Sequence, residues 1–81
     1  MNLIYDSSSY CVLEFRDPAG QIGGYEIMDK LGRRELYLAG DLAIHFRQGV
    51  QQLVAGSPST DDVDEFLSGF QGLMQTPVML H

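Results

Sequence analysis

Positive charge is scarce in this chain. Only five of its 81 residues are lysine or arginine, against eleven aspartates and glutamates, for a formal charge of −6. Four of the five cations, Arg16, Lys30, Arg33 and Arg34, fall in the first forty residues, so the second half is nearly unrelieved acid. Phosphate contacts need clustered cations, so this acidic balance disfavours nucleic-acid binding by bulk charge and, for the same reason, attachment to anionic lipid. Cysteine is almost absent as well. Cys11 stands alone, cannot close an internal disulfide, and suits a reducing compartment. No apolar stretch nears the roughly 20 residues of a membrane span. The opening Met1-Asn2-Leu3-Ile4-Tyr5-Asp6 has neither the basic start nor the apolar run of a signal peptide. The expectation is a single cytoplasmic, soluble domain over residues 1–81, too small to enclose a large active site alone.

The residues present predict an α+β domain: a three- to four-stranded antiparallel meander, then two helices packed on one face, then a short extended tail. Asn2–Asp6 reads as a strand, followed by a turn at Ser7-Ser8-Ser9. Tyr10–Arg16 is the clearest strand, with Cys11, Leu13 and Phe15 on one face at period two. Asp17-Pro18-Ala19-Gly20 matches a type I turn, and Gly23-Gly24 suggests a bulge before the strand Tyr25–Lys30. Asp29-Lys30-Leu31-Gly32 fits a three-residue hairpin loop with Gly32 in the left-handed position. That loop sets Ile27 opposite Glu35, Tyr25 opposite Tyr37 and Asp29 opposite Arg33 in the next strand, residues 33–39.

Asp41 is the expected N-cap of a helix over 42–55, with Leu42, Phe46, Val50, Leu53 and Val54 as its apolar stripe. Gly56-Ser57-Pro58 stops it. Ser59 or Thr60 caps a second helix whose stripe runs Val63, Phe66, Leu67, Phe70, Leu73 and Met74, with Asp61, Asp62, Asp64 and Glu65 placed early, where the helix dipole favours anions. Gly49 and Gly69 sit beside these stripes at a cost of about 1 kcal/mol each relative to alanine, and read as points of close helix approach. Pro77 ends helical continuation, after which Val78 and Leu80 can lie extended along a sheet edge.

No segment carries a catalytic, metal or nucleotide signature, and no cofactor is expected. Asp41 and His45 are spaced to hydrogen-bond on a helix, but a catalytic role needs a nucleophile, and Cys11 reads as core. The acidic run at 61–65 lacks the glycine and spaced oxygens of a calcium loop. Gly20, Gly23 and Gly24 open no helix and precede no Gly-Lys-Ser/Thr, so they form no phosphate loop.

The informative feature is the sheet. With Cys11, Leu13 and Phe15 beneath the helices, and Phe15 and Phe66 both buried there, Tyr10 and Val12 fall on the other face. A sheet with one wet face shows a cleaner alternation than this. The candidate interaction surface is therefore Tyr10, Val12, Tyr25 and Tyr37, joined by Val78 and Leu80 of the tail. It points to a non-enzymatic protein-interaction module: a homodimer, or a complex with an unidentified protein partner. The alternative is a nucleic-acid-associated regulator touching phosphate through Lys30, Arg33 and Arg34.

Tyr5-Asp6-Ser7, Tyr10-Cys11-Val12, Gly23-Gly24-Tyr25-Glu26-Ile27 with Asp29-Lys30, the block Val63-Asp64-Glu65-Phe66-Leu67 and the ending Pro77-Val78-Met79-Leu80-His81 together resemble a family of short bacterial proteins of unknown function. The likeness runs over nearly the whole chain. It implies a complete bacterial cytoplasmic protein and brings no activity, ligand or catalytic residue with it.

Overall fold

The structure is a computed structural model and describes residues 1–75. Its order is β1 (Asn2–Asp6), β2 (Tyr10–Arg16), β3 (Ile22–Asp29), β4 (Arg34–Leu38), α1 (Asp41–Ala55) and α2 (Thr60–Ser68), then a short 3-10 turn at Gln71–Leu73. The four strands form one antiparallel sheet in the order β1-β2-β3-β4, with both helices on one face, as the sequence pattern predicts. Connections between strands are short, three to five residues each. The Gly20 N–H donates to the Asp17 carbonyl at 2.9 Å, and the Asp17 side chain accepts from the Gln21 N–H at 2.9 Å, closing the proline turn. Phe15 pairs with Gly24 and Arg16 with Ile22, so Gly23 is the extra residue of a bulge.

The covered face is the opposite one from that expected. Tyr10 (5 % exposed), Val12 (2 %) and Tyr25 (3 %) are core residues beneath the helices, together with Ile27, Leu38, Ala43, Phe46, Leu67 and Met74. Cys11, Leu13 and Phe15 lie on the uncovered side, each only half-buried. Three of the surface residues inferred from sequence, Tyr10, Val12 and Tyr25, are therefore unavailable to a partner.

The cause is register. The β3–β4 loop has four residues, Lys30–Arg33, so Ile27 pairs with Leu36, Tyr25 with Leu38 and Asp29 with Arg34. A slip of one residue sends every side chain of a strand to the other face. In the actual register Tyr10, Val12, Tyr25, Ile27, Leu36 and Leu38 share one strongly apolar face, which outweighs the Cys11-Leu13-Phe15 stripe. Within the loop Arg33, not Gly32, takes the positive φ, at 52°. Gly32 is needed for space: its N–H donates to Asp29 Oδ1 at 2.9 Å, and a Cβ there would strike the Asp29 carboxylate.

Gly40, not Asp41, is the N-cap of α1, with no side-chain cap hydrogen bond. Ser59 caps α2 in a capping box: its Oγ accepts from the Asp62 N–H at 3.1 Å, and Asp62 Oδ2 accepts from the Ser59 N–H at 3.0 Å. The α1 stripe is shifted from expectation, with Ala43 and Phe46 buried, Val50 and Leu53 partly so, and Leu42 and Val54 exposed. Phe46 is the hub, its ring 5.1 Å from Tyr25, 5.9 Å from Phe66 and 5.5 Å from Phe70 between centroids. Phe66 is half-buried within this cluster.

A Cβ at Gly49 would lie 3.0 Å from the Phe66 ring, so the two helices do meet closely there. Gly69 has a different role. It is the C-cap of α2, with no foreign atom near its missing Cβ, and the expected long helix stops there. Gln75 then forms a backbone bridge with Glu35 on the outer edge of β4 (N···O 2.9 and 3.0 Å). Val78 and Leu80 lie outside the described residues.

Candidate functional site

The candidate site is the sheet face that no helix covers. The strand registers assemble it in rows. Leu3, Leu13, Glu26 and Tyr37 lie across the sheet in one row, and Asp6, Cys11, Met28 and Glu35 in the next. Phe15 pairs with Gly24 beside them. Leu3 is 58 % exposed and Tyr37 55 %, while Cys11, Leu13, Phe15 and Met28 are each partly open to solvent. Of the four surface residues inferred from sequence that are among the described residues, Tyr37 is the one on this face. Leu3, Leu13, Phe15 and Met28 replace the three that proved to be core.

Gly24 gives the face its aromatic centre. A Cβ there would come within 2.5 Å of the Tyr37 hydroxyl and 2.6 Å of the Leu38 carbonyl. With only hydrogen at that position, the Tyr37 ring leans across β3 and meets Phe15 edge to face, at 5.8 Å and 67°. Such a pair contributes about 0.5–1.5 kcal/mol beyond its buried area. Gly24 was read only as part of a bulge; its second role depends on which strand lies beside it.

The electrostatics of the two faces differ. Under the helices, the Glu14 carboxylate is ion-paired with Arg16 at 2.8 Å, and Asp29 with Arg34 at 3.0 Å. The Gly32 N–H, with the Arg34 guanidinium adding to it, holds the Asp29 carboxyl below its usual range despite its burial. On the open face, Glu26 and Glu35 are diagonal neighbours on β3 and β4, close enough to interact across the strands. Partial burial, then the charge of Glu35 and a hydrogen bond with it, push the Glu26 carboxyl upward. Burial also raises the nearby Cys11 thiol, which makes it a poor nucleophile at neutral pH.

The remaining candidates resolve into structural roles. Lys30 pairs with Asp6 and donates to the Ser7 carbonyl at 2.6 Å, and Arg34 is held by Asp29. Of the hairpin cations only Arg33 is uncommitted among the described residues. Asp41 and His45 are both exposed on α1. Asp64, from the acidic run, accepts from the Tyr5 and Ser7 hydroxyls at 2.9 Å each and so clamps the β1–β2 turn to α2. No group of three His, Cys, Asp or Glu side chains among the described residues is placed to hold a metal ion, and no helix among them is long and apolar enough to cross a membrane.

An antiparallel meander with two helices on one side and a semi-apolar free face defines a small α+β protein with a surface rather than a cleft as its distinctive feature. The chain belongs to the family described as "Protein of unknown function (DUF3567)", which matches residues 1–81. It is 49 % identical over 85 residues to "Protein BTH_I0359" of Burkholderia thailandensis, and the match covers 100 % of both chains. This is a small bacterial protein. No solved structure matches it.

Proposed function

We propose that this protein is a non-enzymatic interaction module and that the open sheet face is its binding surface. One observation carries the reading. Leu3, Leu13, Phe15, Met28 and Tyr37 form an apolar group around Glu26 on regular secondary structure, and no element among the described residues covers it. Exposed apolar side chains are ordinary when scattered, and meaningful when contiguous. Such a face accepts either a second copy of the chain, as in the common two-fold dimer, or a separate protein. The nucleic-acid alternative is less well supported, because Lys30 and Arg34 are neutralised within the chain by Asp6 and Asp29. The single thiol on this face suits a reducing compartment, so we place the module in the bacterial cytoplasm.

Photo-cross-linking in the native host tests the reading. A benzoylphenylalanine replacing Tyr37 should give discrete protein adducts, whereas the same group at Gln48, exposed on the outer side of α1, should not. Equal labelling from both positions, or none from position 37, would dismiss the open face as the binding surface.

A further inference from the structure

We propose that the occupant of this face is a cationic amphipathic helix of another protein, with a lysine or arginine reaching Glu26 and Glu35 and an aliphatic stripe lying over Leu3, Leu13, Met28 and the Phe15–Tyr37 pair. The proposal rests on the reading of the open face as the binding surface, and it decides what that surface accepts.

Glu26 stands in the middle of the field. Leu13 and Tyr37 flank it across the sheet, Met28 and Gly24 flank it along β3, and Glu35 lies on the diagonal. Beneath the helices, the buried carboxylates Glu14 and Asp29 each have an arginine. Near this face Lys30 is engaged with Asp6 at the corner. Arg33 is exposed and lines a shallow hollow with Met28 and Glu35; among the described residues it forms no ion pair, and no cation is paired with Glu26 or Glu35.

Covering the face removes water from both carboxylates. An unpartnered buried charge is strongly unfavourable, and a partner cation relieves it. A second copy of the chain brings two more carboxylates and a further net charge of −6, so it supplies the wrong sign. A basic surface supplies the missing ion pair and is drawn in by the field of the whole acidic chain. The face offers side chains rather than free backbone edges, and the natural layer on a sheet face is a helix, as on the face already covered.

The test uses two labelled peptides of about 18 residues, roughly 27 Å long as helices. They share leucine positions and carry either lysine or glutamate at the polar ones. Binding is followed by anisotropy at physiological salt. The lysine peptide should bind and the glutamate peptide should not. The double substitution Glu26→Gln, Glu35→Gln should weaken binding by about tenfold or more, while Asp61→Asn, Glu65→Gln, an equal charge change on α2, should stay within about twofold. Leu13→Asp, or the more exposed Leu3→Asp if the first variant folds poorly, should abolish binding.

Equal weakening by both double variants would mean attraction by net charge alone and would overturn the proposal. Loss with Leu13→Asp but not with the glutamine pair would keep the face and discard the cationic partner. Indifference to both leucine changes would discard the face itself. Sedimentation of the protein alone closes the test: a dimer that Leu13→Asp dissociates would name a second copy as the occupant and overturn the cationic helix.

Discussion

The two faces of the sheet are built from alternate residues of the same strands, yet they solve the problem of a carboxylate among apolar neighbours in opposite ways. Under the helices, Glu14 and Asp29 are matched by Arg16 and Arg34, and the apolar residues around them are sealed by Phe46 and its ring neighbours. On the open side, among the described residues Glu26 has Glu35 beside it and no cation paired with it, and the surrounding leucines and aromatics are partly exposed. One face is finished within the chain. The other mixes apolar side chains with Asp6, Glu26 and Glu35, and among the described residues no cation is paired with Glu26 or Glu35.

The sharpest contrast between the faces is in stability. Phe46→Ala should cost about 3–5 kcal/mol, read as a fall in the urea midpoint, because it empties the centre of the aromatic cluster. Phe15→Ala, on the open face, should cost less than half as much. Equal losses would mean that the open face is as much core as the covered one.

Removing the clamp comes next. Asp64→Ala strips the acceptor from the Tyr5 and Ser7 hydroxyls, both part-buried, and should cost about 1–3 kcal/mol. An unchanged midpoint would show that β1 stays docked on α2 by apolar contact alone.

Gly49→Leu sets two effects against each other. Overpacking against Phe66 costs about 1–3 kcal/mol, and the gain in helix propensity is about 1 kcal/mol. Net destabilisation is expected, because the Phe66 ring is held between Phe46 and Phe70 and has little room to yield. A more stable variant would mean that the helices can separate at no cost.

The smallest effect separates the faces most cleanly, because its sign differs between them. The Asp29 carboxyl is depressed in the folded chain, so its stabilisation is present above the unfolded value of about 3.9 and is lost as pH falls through the folded value. The Glu26 carboxyl is raised. The folded chain therefore binds its proton more readily, and stability falls as pH rises from the unfolded value of about 4.3 through the folded one. Midpoints measured between pH 2 and 7 should shift in opposite senses for Asp29→Asn and Glu35→Gln. The first flattens the acid limb, and the second removes the loss on the way to neutrality. Matching shifts would end the distinction between the faces.

Local chemistry was legible in the sequence wherever it acts within a few residues. The proline turn at Asp17–Gly20, the bulge at Gly23-Gly24, the stop at Gly56 and a cap at Ser59 or Thr60 each depend on side chains and backbone close in sequence, so residue type places them to within a residue. The Gly49 contact was legible as well, although the same pattern at Gly69 marked the end of a helix instead. Some local readings failed too, the Asp41 cap and the Gly69 approach among them, but the larger failures were long-range or depended on counting. One extra loop residue at Arg33 put Leu36 and Leu38, rather than Glu35 and Tyr37, on the face of Tyr25 and Ile27, and so changed which face is the more apolar. The Asp64 clamp joins residues 57 and 59 positions apart in sequence, which no local pattern encodes.

Composition and periodicity were enough to determine the class of the molecule: an acidic chain with a meander followed by two amphipathic helices, carrying more apolar sheet residues than two helices can cover. Tertiary structure alone decided which of those residues remain in the open. A strand offers both of its faces equally, and the choice falls to the summed apolar area that the paired strands present in register. That sum favoured Tyr10, Val12, Tyr25 and Ile27, and it left Leu13, Phe15, Glu26 and Glu35 on the side that neither helix covers.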